Sequence, residues 1–221
     1  MTGTPDRTAR VTAALAAPTS SVRLQAALAA GSDPAPEQVD ALVRRCAVEP
    51  DFFVRDMLTW ALTRHDPSAV VARLLPELGS DVAQARAQAL HTLSKIGRPG
   101  TWSAITPALL QDGDDDVARA AWRTAADLVP AGEEAALAVT LATQLGRGDR
   151  HVRLSLSRAL VALGDAAVPV VERATSHPDP GVRAHATATA RLLADPDAGF
   201  DAAVDEARRL VALRDAPVVP G

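Results

Sequence analysis

The sequence contains no tyrosine and no asparagine, and only three tryptophans and three phenylalanines among its 221 residues. Isoleucine is confined to Ile96 and Ile105. Strands draw on aromatic and β-branched residues, so this shortage disfavours a sheet-rich fold. Cys46 is the single cysteine. It excludes an intramolecular disulfide and a thiolate metal cluster, and it fits a reducing compartment. Lysine is nearly absent, with Arg supplying every basic residue but Lys95, and the net charge is −4. A mildly acidic chain has no general pull toward nucleic acid or an anionic membrane. Residues 1–10 lack the apolar run of a signal sequence, and no apolar stretch is long enough to span a bilayer, so a soluble, cytoplasmic chain is expected.

What remains is rich in Ala, Leu and Val, within a hydrophobic fraction of 48%. Ala and Leu lead the helix-propensity scale. A short element recurs: Val-Arg or Ala-Arg at the head of an Ala/Leu-rich run. Its arginines are Arg23, Arg55, Arg86, Arg119, Arg153 and Arg183, spaced by 32, 31, 33, 34 and 30 residues. Four positions earlier stand Asp51, Asp115, Asp149 and Asp179, with Thr19 in the first copy. The third copy has Val82 there, with Asp81 one step before. Asp and Thr are helix-capping types.

Offsets of −1, +3 and +7 from each arginine are apolar, as in Val54, Leu58 and Leu62, and mark one helical face. Gly97 and Gly164 stand where a left-handed helix end is expected. A further helical run fills each period, at about 36–48, 67–78, 102–111, 132–145 and 166–175. Each period is therefore a helical hairpin that buries its apolar face only against its neighbours. The expected fold is all-α, a right-handed α–α superhelix (solenoid) forming one domain over 1–221. Its six hairpins fall at about 8–31, 36–65, 67–97, 99–129, 131–164 and 165–195, with a capping helix at 198–214.

The Asp-x-x-Val-Arg element, plainest at Asp179-Pro180-Gly181-Val182-Arg183, resembles the second-helix signature of HEAT repeats, especially the short bacterial type. Residues 49–65 and 84–97 are also similar to HEAT-repeat proteins of actinobacteria. The resemblance implies a structural ladder in which Arg23, Arg55, Arg119, Arg153 and Arg183 pair with Asp51, Asp115, Asp149 and Asp179 within and between repeats. It also implies that the second helices line a concave binding surface.

Signs of catalysis are missing. None of the five histidines has the i, i+4 spacing of a helical metal pair, and no Gly-x-Ser-x-Gly elbow occurs. In Asp112-Gly113-Asp114-Asp115-Asp116, the sixth and twelfth positions hold Val117 and Arg123 where a calcium loop needs Gly and Glu. That run reads as a turn and a helix cap. No catalytic residue, metal or cofactor is expected. The expected function is a non-catalytic interaction or scaffold protein that binds a protein, a peptide or a small ligand. The alternatives are a DNA-binding or alkylpurine-glycosylase-like HEAT protein and a ligand-sensing accessory protein. Nucleic acid is the weaker partner, since phosphate neutralisation needs a basic excess. On the face opposite the core, the spacing selects Asp56, Trp60, His91, Asp127 and Arg158, with Arg123 at the border of that stripe, as partner-binding residues.

Overall fold

The computed structural model describes residues 4–195 together with Val204, Ala207, Arg208 and Val211. Most of the expected capping helix at 198–214 lies outside the described residues; those four positions are helical where it was expected. Among the described residues there is no strand, and no helix is long and apolar enough to cross a membrane. The helices are α1 (Thr4–Leu15), α2 (Ser20–Ser32), α3 (Val39–Cys46), α4 (Phe52–Arg64), α5 (Pro67–Leu74), α6 (Ala83–Ile96), α7 (Pro107–Leu110), α8 (Asp115–Leu128), α9 (Glu134–Ala142), α10 (Arg150–Ala162), α11 (Val168–Ala174) and α12 (Pro180–Ala194). Short 3₁₀ turns occupy Pro36–Gln38, Leu75–Gly79, Pro99–Ala104 and Gly164–Ala166. The chain forms two compact units that divide between Thr124 and Ala125, inside α8.

In the first unit, α2 packs on α4 and α4 on α6. Its core holds Leu42, Leu58, Leu62, Leu74, Leu90, Leu93 and Trp122, all essentially sealed from solvent. Trp122 donates its indole N–H to the Leu110 carbonyl at 2.7 Å, so its one polar atom is satisfied inside the core. In the second unit, α10 packs on α12 and α11 lies against both α9 and α12. Leu141, Leu156, Leu160, Ala167 and Val171 fill that core, and Ala207 covers Ala188.

The second helices begin where capping chemistry is available. Asp51, Asp149 and Asp179 each accept two backbone N–H bonds, from the residues two and three positions on. In the fourth hairpin the cap is Asp114, one residue before the expected Asp115, and it accepts from Asp116 and Val117. Thr19 makes no side-chain cap bond, and Val82 is capped over by Ser80, whose Oγ accepts the Val82 N–H at 3.2 Å. Gly97 and Gly164 both take positive φ, +66° and +55°, at their helix ends.

The first helices of the hairpins are more broken than the sequence predicts. The run expected at 102–111 is a 3₁₀ turn, Pro99–Ala104, and a separate short helix, Pro107–Leu110. Pro107 pushes Thr106 out of the helical region, to ψ 159°, which splits the run. The expected core face also fails once. Val22, at offset −1, is 45% exposed. Its counterpart Val182 packs against Gly146 in the turn of the preceding hairpin, and α2 has no such turn before it among the described residues.

Candidate functional site

The recurring arginines act first on the backbone. The Nη1 of Arg55 donates to the carbonyls of Glu49 and Pro50, and that of Arg183 to His177 and Pro178. Arg23 reaches Ala17 and Pro18, Arg86 reaches Ser80, and Arg153 reaches Gly146. Each guanidinium therefore staples the turn five to seven residues before it onto its own helix. The carboxylates bonded to Arg23 and Arg86 are Glu49 and Asp112, while Asp51, Asp149 and Asp179 cap helices. Glu49 is 0% exposed and takes both Arg23 and Arg45 at 2.7 Å, plus the Asp51 N–H at 3.0 Å. Burial alone raises its carboxyl, but those three donors outweigh it and hold the group at about 2.

Arg119 departs from this column. Because α8 starts from Asp114, Ala118 occupies the stapling position and Arg119 is turned one step round the helix, where it pairs with Asp116 at 3.2 Å. The same shift moves Arg123 into register with Trp60, His91 and Arg158. Each lies nine residues after its own cap, at Asp51, Val82, Asp114 and Asp149. Thr124, which the arginine spacing would put in that register, is buried and donates to Leu90 and Ala120.

Across α4, α6 and the start of α8 lies a groove of about 640 Å³. Of the residues selected from the sequence, Asp56, His91 and Arg123 line it. Trp60 does not: its ring covers Gly31 of α2, leaving it 37% exposed. Asp127 and Arg158 are exposed residues of the second unit. Sequence reading missed Phe52, Gln84, Gln88, Asp114 and Asp116, and assigned Arg55 and Arg119 to the ladder alone. The two glutamines carry no periodic signal, whereas the aspartates lay in a run already read as a turn.

Most of the lining is already committed. Arg55 holds its turn and lies 6.0 Å over the Phe52 ring, and Gln84 donates to the Cys46 and Glu49 carbonyls. Asp114 caps α8, and Asp116 pairs with Arg119. Asp56, Gln88, His91 and Arg123 are different, for none has a side-chain hydrogen bond or ion pair with another described residue. Burial lowers the affinity of His91 for a proton, Arg123 and Lys95 lower it further, and Asp56 partly restores it. The imidazole is therefore a neutral donor and acceptor at pH 7. Phe52 lines the groove at 65% exposure, and Phe53, 73% exposed, packs edge to face against it.

Elsewhere, burial pushes the Cys46 thiol up to about 12, which makes it an inert core group. No group of three or more His, Cys, Asp or Glu able to hold a metal occurs among the described residues. No family model matches the chain, and no curated protein resembles it closely enough to carry a name or a function across.

Proposed function

We propose that the chain is a HEAT-like repeat protein, with its hairpins stacked as a solenoid, and that it serves as a non-catalytic binding module. The groove over α4, α6 and α8 holds a peptide or a segment of a protein partner. One observation carries this reading: four polar side chains, Asp56 and Arg123 exposed and Gln88 and His91 half-buried, line a single groove with no side-chain partner among the described residues. The volume also falls inside the range of ligand pockets, roughly 300–1,000 Å³. The exposed Phe52 and Phe53 fit the aromatic anchors of interfaces.

The nucleic-acid alternative is disfavoured by the groove itself, which carries three arginines against three aspartates. A triple variant, Asp56→Ala with His91→Ala and Arg123→Ala, tests the binding role. It is expected to melt within a few degrees of the parent and to lose the partners that the parent captures from its host. Unchanged capture, or a melting temperature far below the parent's, would return these residues to a structural role.

A further inference from the structure

The uncommitted groups of this groove are sorted by helix. Asp56 stands on α4, Gln88 and His91 on α6, and Arg123 on α8. α6 lies between the other two, since it packs on α4 and its Leu90 carbonyl takes the Thr124 hydroxyl of α8 at 3.0 Å. Beside Arg55, which is held to its own turn, the α4 wall thus offers the Asp56 carboxylate; beside the Asp114 cap and the Asp116–Arg119 pair, the α8 wall offers the Arg123 guanidinium; the floor offers a neutral amide and imidazole. Axes of packed helices stand about 8–10 Å apart, so the axes of α4 and α8 are roughly 16–20 Å apart, an upper bound on the span between the two charges.

Resting on the groove being the binding surface, we infer that its occupant is a short extended peptide segment carrying a basic side chain that meets Asp56 and, about four to six residues away, a carboxylate that meets Arg123. An extended chain covers about 3.3 Å per residue, which limits that separation. A free amino acid holds its two charges too close together to reach both walls. A polyanion or an anionic lipid surface would set negative charge against Asp56. Between the ends, the Gln88 amide offers a donor and an acceptor to the N–H and C=O groups of an extended backbone. The carboxylate comes either from an acidic side chain or from a chain terminus, and both suit a guanidinium fork.

Fluorescence anisotropy with synthetic peptides tests this. The probes are acetylated, amidated Gly/Ser peptides with one Lys and one Glu separated by zero to eight residues, and a parallel set ending in a free carboxylate in place of the Glu. Binding by the full chain is expected to peak at a separation of four to six residues. It is expected to weaken about tenfold when Lys or Glu becomes Gln, the size of one charge-assisted hydrogen bond. The set that binds more tightly identifies the source of the carboxylate. Arg123→Glu is expected to transfer the preference to the matching Lys/Lys peptide without changing the melting temperature. Equal binding of all peptides, still lost in the triple variant, would overturn the charge sorting and leave the groove as a binding surface. Absence of binding by every peptide would overturn the peptide assignment, and unchanged partner capture by the triple variant would remove the groove itself.

Discussion

In the first unit, α2 is tied to the turn before α4 through Glu49, a sealed carboxylate gripped by Arg23 and Arg45. In the second, α10 is tied to α12 through His185, whose ring is equally sealed but neutral. Its Nδ1 accepts the Gly146 N–H at 3.0 Å, and its Nε2 faces the Arg153 carbonyl and the Ser157 hydroxyl, each at 3.0 Å. Ser157 continues to Thr189 at 2.8 Å. Because Nδ1 accepts, Nε2 carries the proton, so this Ser–His contact has no base to activate the hydroxyl. The same job, joining successive hairpins, is done by charge in one unit and by a neutral network in the other. The two should therefore fail under different conditions.

The largest expected effect comes from removing the charge in the first unit. Glu49→Gln keeps the shape but leaves two guanidinium groups facing an uncharged amide. Breaking a buried pair in this way costs about 3–5 kcal/mol. Chemical denaturation with α2 and α4 amides as the probe measures it, and a loss below about 1 kcal/mol would mean that solvent reaches the pair.

Next is the acid response of the second unit. The ordinary histidine value is 6.5, and burial, aided by the charge on Arg153, lowers His185 to about 4. A depressed histidine contributes stability that is complete above pH 6.5 and disappears as pH falls through 4, roughly 3 kcal/mol in all. Glu49 works in a lower window: its contribution is complete above 4.5 and is lost as pH falls toward 2. Hydrogen exchange should thus show α10 and α12 losing protection between pH 6.5 and 4, while α2 and α4 hold until the pH is below 4.5. Simultaneous loss in both units would erase the distinction between charged and neutral ties.

The units also differ in where they need glycine. In the second, Gly146 sits in a turn at φ +86°, with Val182 against it. In the first, Gly31 lies within α2, and an added Cβ would run into the Trp60 ring and stand 2.9 Å from the Ala61 Cα. Gly31→Ala would gain about 1 kcal/mol of helix propensity. The forced overpacking costs about 1–3 kcal/mol, and because one of the obstructing atoms is backbone, rotation of the indole does not remove it. A net loss of roughly 1 kcal/mol is expected, and a stabilised variant would show that α2 and α4 are free to move apart.

These contrasts mark what the sequence made legible. The second helices were readable because a cap, a Val-Arg pair and apolar residues at fixed offsets all report one helix start, as at Asp179 and Arg183. The first helices were less so, because the break at Thr106 depends on Pro107 acting on its neighbour inside an otherwise helical run. Asp56 and His91 were found from helical phase alone. Arg123 was placed only on the border of that stripe, because the phase was counted from Arg119. Gln88 was invisible, since an uncommitted glutamine looks the same on paper as a solvated one. The seat of Trp60 over Gly31 is tertiary: a glycine a full repeat earlier opens the space its ring covers, and no offset within one repeat reports it.

The smallest predicted effect bears on that counting. Aligned on its arginine, the fourth repeat should be capped by Asp115; in the folded chain Asp114 accepts the free N–H groups, and Asp115 already lies within the first turn. Removing a capping side chain costs about 1 kcal/mol, whereas a first-turn acid contributes only a few tenths through the helix dipole. Asp114→Ala should therefore lower stability by about 1 kcal/mol, as Asp179→Ala does in the second unit, and expose the Asp116 and Val117 amides to exchange, which Asp115→Ala leaves protected. The order of these two neighbours is what counts, since each variant removes one carboxylate from the same acidic run and changes the net charge equally. Were Asp115→Ala the more damaging, the helix would start one residue later. Arg119 would return to the stapling column, and Arg123 would leave the register it shares with His91.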